Sequence, residues 1–307
     1  MMMHYSIPDY EDPKFSIDDP SGTELELTVL DRSIGWNNRW SLDAGCGYGR
    51  LSETICQRSE NAILLDYSLT NLTRAREKYY RDGKNRYFIL ADMAKLPFKE
   101  ASMDLITSIR VLHHLGPLEP YLSEFDRCLS PGGEVIFSFD NSQNAAVLTS
   151  FILNRLLGTS LMGIDFNPLS GDTVLAGNSP KNRRIYFHSY KYILSIASLI
   201  NKWDQVAQFY GGISDSGHKH GTIISVITRK AERALFDRQI ARYLFPNSYL
   251  VFRKRGHGDK AIRKNIDDVL ACPVCKTDVQ INTDTVQCRS GHNFEVRDGL
   301  IDFRVGR

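Results

Sequence analysis

Three glycines spaced two residues apart follow a short apolar run early in the chain. The stretch WSLDAGCGYGRL spans residues 40–51, with Asp43 two positions before Gly45 and with Gly47 and Gly49 completing the turn. Because glycine lacks a Cβ, such a strand–turn–helix unit lets backbone N–H groups approach a ligand closely. Dinucleotide sites use the spacing G-x-G-x-x-G. The acid before this turn instead suits a ligand with an ammonium group, which favours S-adenosylmethionine (SAM).

Two further acids end short apolar runs that follow the glycine turn. Asp66 ends the run 61–66, roughly 20 residues beyond the turn, where a second parallel strand presents a carboxylate to a ribose diol. Asp92 ends a third run at 86–92, and runs at 103–109 and 133–139 add two more strands. Helical patterns cover residues 23–35, 68–82, 118–129 and about 189–201, before, between and after these runs. The alternation predicts an α/β fold whose mostly parallel sheet has helices on both faces.

A second group of chemically active side chains lies near the end of the chain. Cys272 and Cys275 form a C-x-x-C turn, and Cys288 with His292 follows after twelve residues. Two thiolates of such a turn approach one ion tetrahedrally, and a second knuckle supplies two more nitrogen or sulfur ligands. We therefore expect a Zn²⁺ site. Four protein ligands leave no open position, so its role is structural rather than catalytic.

Composition sets limits on the cellular setting. The formal net charge of +2 over 307 residues neither favours nor excludes a polyanionic partner. The N-terminal residues are polar and rich in Asp and Pro, unlike a signal peptide, and no apolar stretch is long enough to span a bilayer. Cys46, Cys56 and Cys128 are scattered, which indicates reduced thiols and a cytoplasmic protein. For Cys46, a small loop residue is the favoured interpretation over a nucleophile.

Over about residues 38–140 these motifs resemble the class I SAM-dependent methyltransferases. The segment 42–49 looks like their first motif, and the run 102–106 after Leu96-Pro-Phe98 looks like the motif leading into strand four. The segment 108–115 is similar to the quinone-biosynthesis and tRNA wobble-uridine methyltransferases. The resemblance implies a seven-stranded, Rossmann-like methyltransferase sheet.

The resemblance also implies roles for individual residues. Asp43 and the turn from Gly45 to Gly49 would hold the methionine end of SAM, Asp66 the ribose hydroxyls, and Asp92 with Met93 the adenine, with Ile109 and Arg110 at the mouth of the pocket. An acceptor nucleophile would attack the sulfonium methyl in line. A hydroxyl or amine acceptor needs a base, and His113 or His114 is the candidate, with packing at the strand end as the alternative. The cofactor-binding residues expected on this basis are Asp43, Gly45, Cys46, Gly47, Gly49, Asp66, Tyr67, Asp92, Met93, Ile109 and Arg110.

Residues 268–304 resemble the zinc-ribbon activator subunit that partners tRNA, rRNA and release-factor methyltransferases. The similarity includes the closing run 294–303. It departs at Gly291, where the activator has its fourth cysteine, and His292 substitutes there as in the Cys-x3-His knuckle of rRNA guanine methyltransferases. The alternative is a ribbon that has lost its metal.

These motifs divide the chain into four expected parts. An N-terminal arm and capping helix cover residues 1–35, and the methyltransferase domain covers 36–230 with an insertion or lid at 144–187. A basic helical linker covers 231–267, with two amphipathic helices around a hinge at 253–258, and the zinc ribbon covers 268–307. Strands at 203–210 and 222–228 are expected to complete the sheet as an antiparallel pair.

Three functions fit this organisation. The first is methylation of a small-molecule or lipid-like acceptor beneath the apolar segment 145–157. The second is methylation of tRNA, rRNA or a translation protein, with RNA contacted through the basic segment 229–264 and the ribbon acting as an activator fused in cis. The third is a non-catalytic SAM-binding scaffold. The acceptor atom and the oligomeric state stay open.

Overall fold

The computed structural model describes residues 20–80, 85–158, 174–178, 184–200, 202–211, 230–231, 233–256 and 263–305. The expected N-terminal arm before residue 20, the strand expected at 222–228 and parts of the 144–187 insertion lie outside these ranges.

Thirteen strands and six α-helices are present in the described ranges. The strands are β1 (Asn38–Ala44), β2 (Ser59–Asp66), β3 (Asn85–Leu90), β4 (Met103–Ser108), β5 (Leu129–Asp140), β6 (Val174–Asn178), β7 (Arg184–Phe187), β8 (Trp203–Gly211), β9 (Asn247–Lys254), β10 (Val279–Ile281), β11 (Thr285–Cys288), β12 (Asn293–Arg297) and β13 (Leu300–Asp302). The helices are α1 (Pro20–Ser33), α2 (Ser52–Gln57), α3 (Leu69–Tyr79), α4 (Glu119–Cys128), α5 (Ala145–Leu157) and α6 (Tyr190–Ile200).

Helices cover both faces of the central sheet, as the strand–helix alternation predicts. Successive residues of a strand face opposite sides. On β4, Leu105 packs in the apolar cluster that includes α1 and α2, whereas Ile106 packs in the cluster that includes α4 and α6. The central strands β1 and β2 are buried along most of their length, which is typical of parallel strands covered on both sides.

The sheet has eleven strands, so the expectation of seven is wrong. Its order is β10-β11-β12-β13-β3-β2-β1-β4-β5-β9-β8, and β6 with β7 forms a separate hairpin. The additional strands are the four of the C-terminal segment. They join because β13 pairs in parallel with β3, from Leu300 opposite Phe88 to Asp302 opposite Leu90. The C-terminal segment therefore continues the central sheet.

The segment expected as a helical linker contains the strand β9. This strand pairs antiparallel with both β5 and β8. Its residues Tyr249, Leu250, Val251 and Phe252 are all buried, because β9 lies inside the sheet and has apolar contacts on both faces. Short 3-10 turns at Gln239–Tyr243 and Ile266–Asp268 stand where the helical spacing suggested longer helices.

Among the described helices, the longest has 14 residues, and none is long and apolar enough to cross a membrane.

Candidate cofactor and metal sites

The glycine turn follows β1 and is held in a left-handed backbone conformation. Gly45, Gly47 and Gly49 have φ of 79°, 56° and 77°. A Cβ at Gly45 would lie 2.6 Å from a methyl carbon of Val111, whereas a Cβ at Gly47 would meet nothing within 4 Å. Gly45 is thus packed against the protein, and the turn is open to a ligand at Gly47.

Asp43 lies beneath this turn at the end of β1. Its carboxylate accepts hydrogen bonds from Ser52 Oγ at 2.6 Å and from Thr107 Oγ1 at 3.0 Å. Burial raises the pKa of Asp43 to about 6, against the lowering effect of these two hydroxyls. Asp43 is therefore an ionisable group whose charge changes close to neutral pH.

Asp66 ends the neighbouring strand β2 and is bonded to the glycine turn. The Gly47 N–H donates to Asp66 Oδ2 at 2.8 Å, and the Ser68 N–H donates to Oδ1 at 2.8 Å. Burial raises the pKa of Asp66, and these backbone N–H groups act in the opposite direction. Tyr67, which lies between Asp66 and Ser68, is 37% exposed.

The structure separates the two residues expected at the adenine end. Asp92 is exposed beyond β3, where its carboxylate accepts from the Ala94 N–H at 2.8 Å and caps a short turn. Met93 is buried in the main apolar cluster. The backbone joins this end to Asp66, because the Ala91 N–H donates to the Asp66 carbonyl at 3.3 Å.

Ile109 and Arg110 follow β4, the strand that neighbours β1 on the side away from β2. Ile109 packs against the cluster that contains α1 and α2. Arg110 has φ of 59°, and its N–H donates to Ser138 Oγ at 2.7 Å. Its guanidinium lies 3.7 Å from the carboxylate of Glu26, which is 1% exposed on α1.

Two charged residues near the turn escaped the sequence analysis. Glu26 also pairs with Arg50, at 2.5 Å between Oε2 and Nη2. Arg50 directly follows the last glycine of the turn, and this adjacency was the only local signal for it. Glu26 had none, since α1 is brought over the turn by tertiary packing. The pair places one positive and one negative charge beside the glycine turn.

The two candidate bases lie in a 3-10 turn, Leu112–His114, just after Arg110. The ring centroids of His113 and His114 are 3.9 Å apart. Burial, with smaller contributions from Arg110 and His188, lowers the pKa of His113 to about 3. The imidazole of His113 is therefore neutral at physiological pH, and the burial that lowers its pKa also makes it a weak base.

His188 is a further residue that the sequence did not indicate. It follows β7, is fully buried, and its Nε2 lies 3.0 Å from the Leu112 carbonyl. Its backbone N–H donates to the backbone carbonyl of Asp140. Burial raises the pKa of the Asp140 side-chain carboxyl to about 6. The end of the insertion is thus tied to the turn that bears His113.

The four predicted metal ligands converge at the other end of the sheet. The ligand atoms of Cys272, Cys275, Cys288 and His292 all lie within 4.8 Å of one another. Cys288 Sγ is 3.7 Å from Cys275 Sγ and 3.3 Å from His292 Nδ1, and Cys272 Sγ is 3.7 Å from the same nitrogen. Ligands about 2.0–2.3 Å from a tetrahedral ion lie roughly 3.5–3.8 Å apart, so this donor set fits a metal ion.

The departure at Gly291 follows from the backbone. Gly291 has φ of 87°, a left-handed conformation that favours glycine over cysteine. The turn also places the His292 carbonyl to accept from the Cys288 N–H at 3.0 Å. His292, one residue later, then supplies its ring to the cluster.

The basic triplet at 253–255 is not a free cationic patch. Arg253 pairs with Glu134 at 2.6 Å and Arg255 with Asp204 at 2.7 Å. Lys254 is 8% exposed and donates to the Leu129 carbonyl at 2.9 Å, with Asp126 Oδ1 at 3.4 Å. Each charge of the triplet therefore has an acidic partner within the fold.

Part of the chain is similar in sequence to known proteins. Residues 42–137 match the family model described as a methyltransferase domain. Over 115 residues the chain is 33% identical to a malonyl-[acyl-carrier protein] O-methyltransferase of Hamiltonella defensa, which covers 38% of this chain and 43% of the relative. Over 129 residues it is 28% identical to a ubiquinone biosynthesis O-methyltransferase of Pseudomonas fluorescens, which covers 42% of this chain and 56% of the relative. The chain thus spans about half the length of these relatives.

A solved structure shares the fold. It belongs to a complex between a methyltransferase activator and a methyltransferase from Haloferax volcanii, and the match has a TM-score of 0.55 at 16% identity. The match covers 83% of this chain and 100% of the other. At such low identity the likeness shows the fold alone. The comparisons thus identify residues 42–137 as similar to a methyltransferase domain.

Proposed function

We propose that this protein transfers a methyl group from SAM to a small-molecule or lipid-like acceptor. The observation that carries the proposal is the junction of Asp43, the Gly47 N–H and Asp66 at the ends of two adjacent parallel strands. The ammonium of the methionine moiety would be attracted by the carboxylate of Asp43, and the ribose hydroxyls would donate to Asp66. Ligands of open α/β sheets bind at this carboxyl end.

The chain's own residues would orient the reactants. When bound, SAM supplies a methyl group already activated by its sulfonium sulfur. Asp43, the glycine turn and Asp66 would fix the position of that methyl, with Tyr67, Asp92 and Met93 toward the adenine and Ile109 and Arg110 at the mouth. Positioning and exclusion of water then supply most of the rate.

His113 is the proposed base for a hydroxyl or amine acceptor. Burial keeps the imidazole neutral at pH 7, so a ring nitrogen can accept a hydrogen bond from the acceptor. A pKa of about 3 also makes it a weak base, so it takes the proton only once methylation has made that proton strongly acidic, as on a methylated hydroxyl oxygen. His114 is the second candidate, because its ring is in contact with that of His113. An acceptor that is already an anion would need neither.

Two observations support a small or lipid-like acceptor. The relatives are named for malonyl-[acyl-carrier protein] and for ubiquinone biosynthesis. The second half of α5, the helix that follows the carboxyl end of β5, also exposes four apolar side chains, those of Ile152, Leu153, Leu156 and Leu157. Apolar surface near the acceptor side favours a ligand that has apolar surface of its own.

We also propose that the C-terminal cluster holds Zn²⁺ in a structural role. The support is the donor set of three thiolates and one imidazole at distances that fit tetrahedral coordination. The ribbon's strands β10–β13 are short, and a bound ion would fix the two knuckles that join them.

A second candidate function has one specific observation in its favour. The ribbon strand β13 extends the methyltransferase sheet at β3, and a structural neighbour is a methyltransferase in complex with its activator. An activator fused in cis would suit an RNA or translation-protein substrate. The paired charges of Arg253, Lys254 and Arg255 weaken this candidate, because phosphate contacts need cations free to bind them.

The deciding experiment is transfer from radiolabelled SAM into fractionated extract, with RNA, protein and small-molecule or lipid pools counted separately. We expect label in the small-molecule or lipid pool. Label confined to RNA or protein would instead support the second candidate. Tight SAM binding with no label in any pool would support the third function, a non-catalytic scaffold.

A further inference from the structure

One buried arginine connects the ribbon to the turn that follows β2. Arg304 follows β13 and is only 7% exposed. Its guanidinium makes a bidentate pair with Asp302, at 2.9 Å from Nε to Oδ1 and 2.6 Å from Nη2 to Oδ2. Such a fork fixes the orientation of the guanidinium.

The third nitrogen of this guanidinium, Nη1, contacts a residue outside the ribbon. Arg304 Nη1 donates to the backbone carbonyl of Tyr67 at 3.0 Å. The guanidinium carbon also lies 5.7 Å from the centroid of the Tyr67 ring, within the range of a cation–π contact. Tyr67 connects Asp66 to Ser68, so Arg304 contacts the turn that bears the proposed ribose acid.

The ladder between the ribbon and β3 sets the position of this arginine. Asp302 is opposite Leu90, and the Phe303 N–H donates to the Leu90 carbonyl at 2.7 Å. Arg304 therefore follows the carboxyl end of β13, beside β3, and its side chain reaches past β3 to Tyr67, the residue after β2.

We propose that Arg304 is a positioning residue for the adenosine moiety of SAM and acts through the turn Asp66–Ser68. Held by Asp302, the guanidinium fixes the Tyr67 carbonyl and ring, and thereby keeps the Asp66 carboxylate oriented toward the ribose hydroxyls. The ribbon thus contributes to the cofactor site a residue that the methyltransferase domain itself lacks. The inference rests on the proposed binding of SAM.

The test measures S-adenosylhomocysteine affinity by calorimetry in the full chain. Arg304→Ala should weaken binding about tenfold, a coupling of ordinary size between contacting groups. Arg304→Lys keeps one donor for the Tyr67 carbonyl and should bind with intermediate affinity. The matched control is Arg297→Ala in β12, since Arg297 is exposed and pairs with Glu295 in the same strand. This control should bind like the wild type.

A double-mutant cycle distinguishes positioning from general loss of stability. If Arg304 acts through Asp66, the Arg304→Ala change should cost little further affinity in an Asp66→Ala background. Amide hydrogen exchange at residues 66–68 should also accelerate in Arg304→Ala and not in Arg297→Ala. Metal content and the melting temperature, measured in the same samples, report whether the ribbon is still folded, and Arg304→Lys serves if Arg304→Ala does not fold.

Two results would overturn the inference while leaving the proposed function intact. One is wild-type affinity in Arg304→Ala, and the other is a fully additive cycle with Asp66→Ala. A wild-type chain that fails to bind S-adenosylhomocysteine would overturn the proposed function itself.

Discussion

The hydroxyl of Tyr79 donates to the carbonyl of Gly49 at 2.8 Å, and the same ring lies 2.7 Å from the point where a Cβ on Gly49 would be. Helix α3 therefore packs directly against the last glycine of the turn. Gly49→Ala should lower the free energy of unfolding by about 1–3 kcal/mol, because it adds a clash to a left-handed backbone. Urea denaturation measures the change. Gly35→Ala, with open space at its Cβ and no left-handed backbone, is the control and should change stability little. Equal losses in both variants would contradict this account of the turn.

SAM affinity should fall as the pH is lowered through about 6. Burial raises the pKa of Asp43 to about 6, so below that pH its carboxyl becomes neutral and no longer attracts the ligand's ammonium group. Above pH 7 the carboxylate is ionised and affinity should level off. Calorimetric titration between pH 5 and 8 measures the profile, and Asp43→Asn should give weak binding with a flatter profile. A wild-type affinity that stays constant over this range would remove Asp43 from the ammonium site.

His113 should make stability depend on acid pH. Its pKa falls from the usual 6.5 to about 3 in the folded chain, so between these values the unfolded chain binds more protons and stability decreases as pH falls. His113→Asn should reduce that decrease, by up to ~1.4 kcal/mol per pH unit in the window. Chemical denaturation at pH 7 and pH 4.5 measures the difference between variant and wild type. His114→Asn is the companion measurement. A loss of pH dependence in that variant alone would mean that His114, and not His113, causes the effect.

The C-terminal cluster should retain about one zinc ion per chain after purification. Cys288→Ser removes a ligand that lies 3.3 Å from His292 Nδ1 and should abolish stoichiometric zinc and lower the melting temperature. Metal analysis by mass spectrometry and a thermal scan measure both. Cys56→Ala, whose thiol is buried in a separate cluster with α3, should keep the zinc. Full zinc content in Cys288→Ser would exclude this cluster as the site.

Lys254 and Arg253 are adjacent in sequence but should differ in their contribution to stability. Lys254→Ala removes the buried ammonium from Asp126 and from the Leu129 carbonyl. Because Trp203 Nε1 and Lys202 still contact Asp126, the cost should be about 1–3 kcal/mol. Arg253→Ala breaks an exposed pair with Glu134 and should cost about 0–1 kcal/mol. Guanidinium denaturation compares the two. A filter-binding assay with tRNA should give no loss in Arg253→Ala, and a large loss would favour an RNA substrate.

The sequence by itself was sufficient to locate the motifs that are defined by local spacing. The glycine turn with Asp43, the acids that end the second and third strands, and the Cys3His pattern were predictable, because each requirement is satisfied within a few residues. The same locality explains the α-helices, whose bounds lie within a few residues of the predicted ones for α1, α3, α4 and α6.

Only the tertiary structure decided which elements become neighbours. The apolar run of β9 fits a buried strand or part of a helix equally well, and its pairing with β5 and β8 resolves the ambiguity. Glu26 reaches Arg50 and Arg110, and Arg304 reaches Tyr67, across long separations in sequence. The ribbon joins the sheet because β3 offers an unpaired edge whose N–H and C=O groups need partners, and no local pattern in the chain states which strand will supply them.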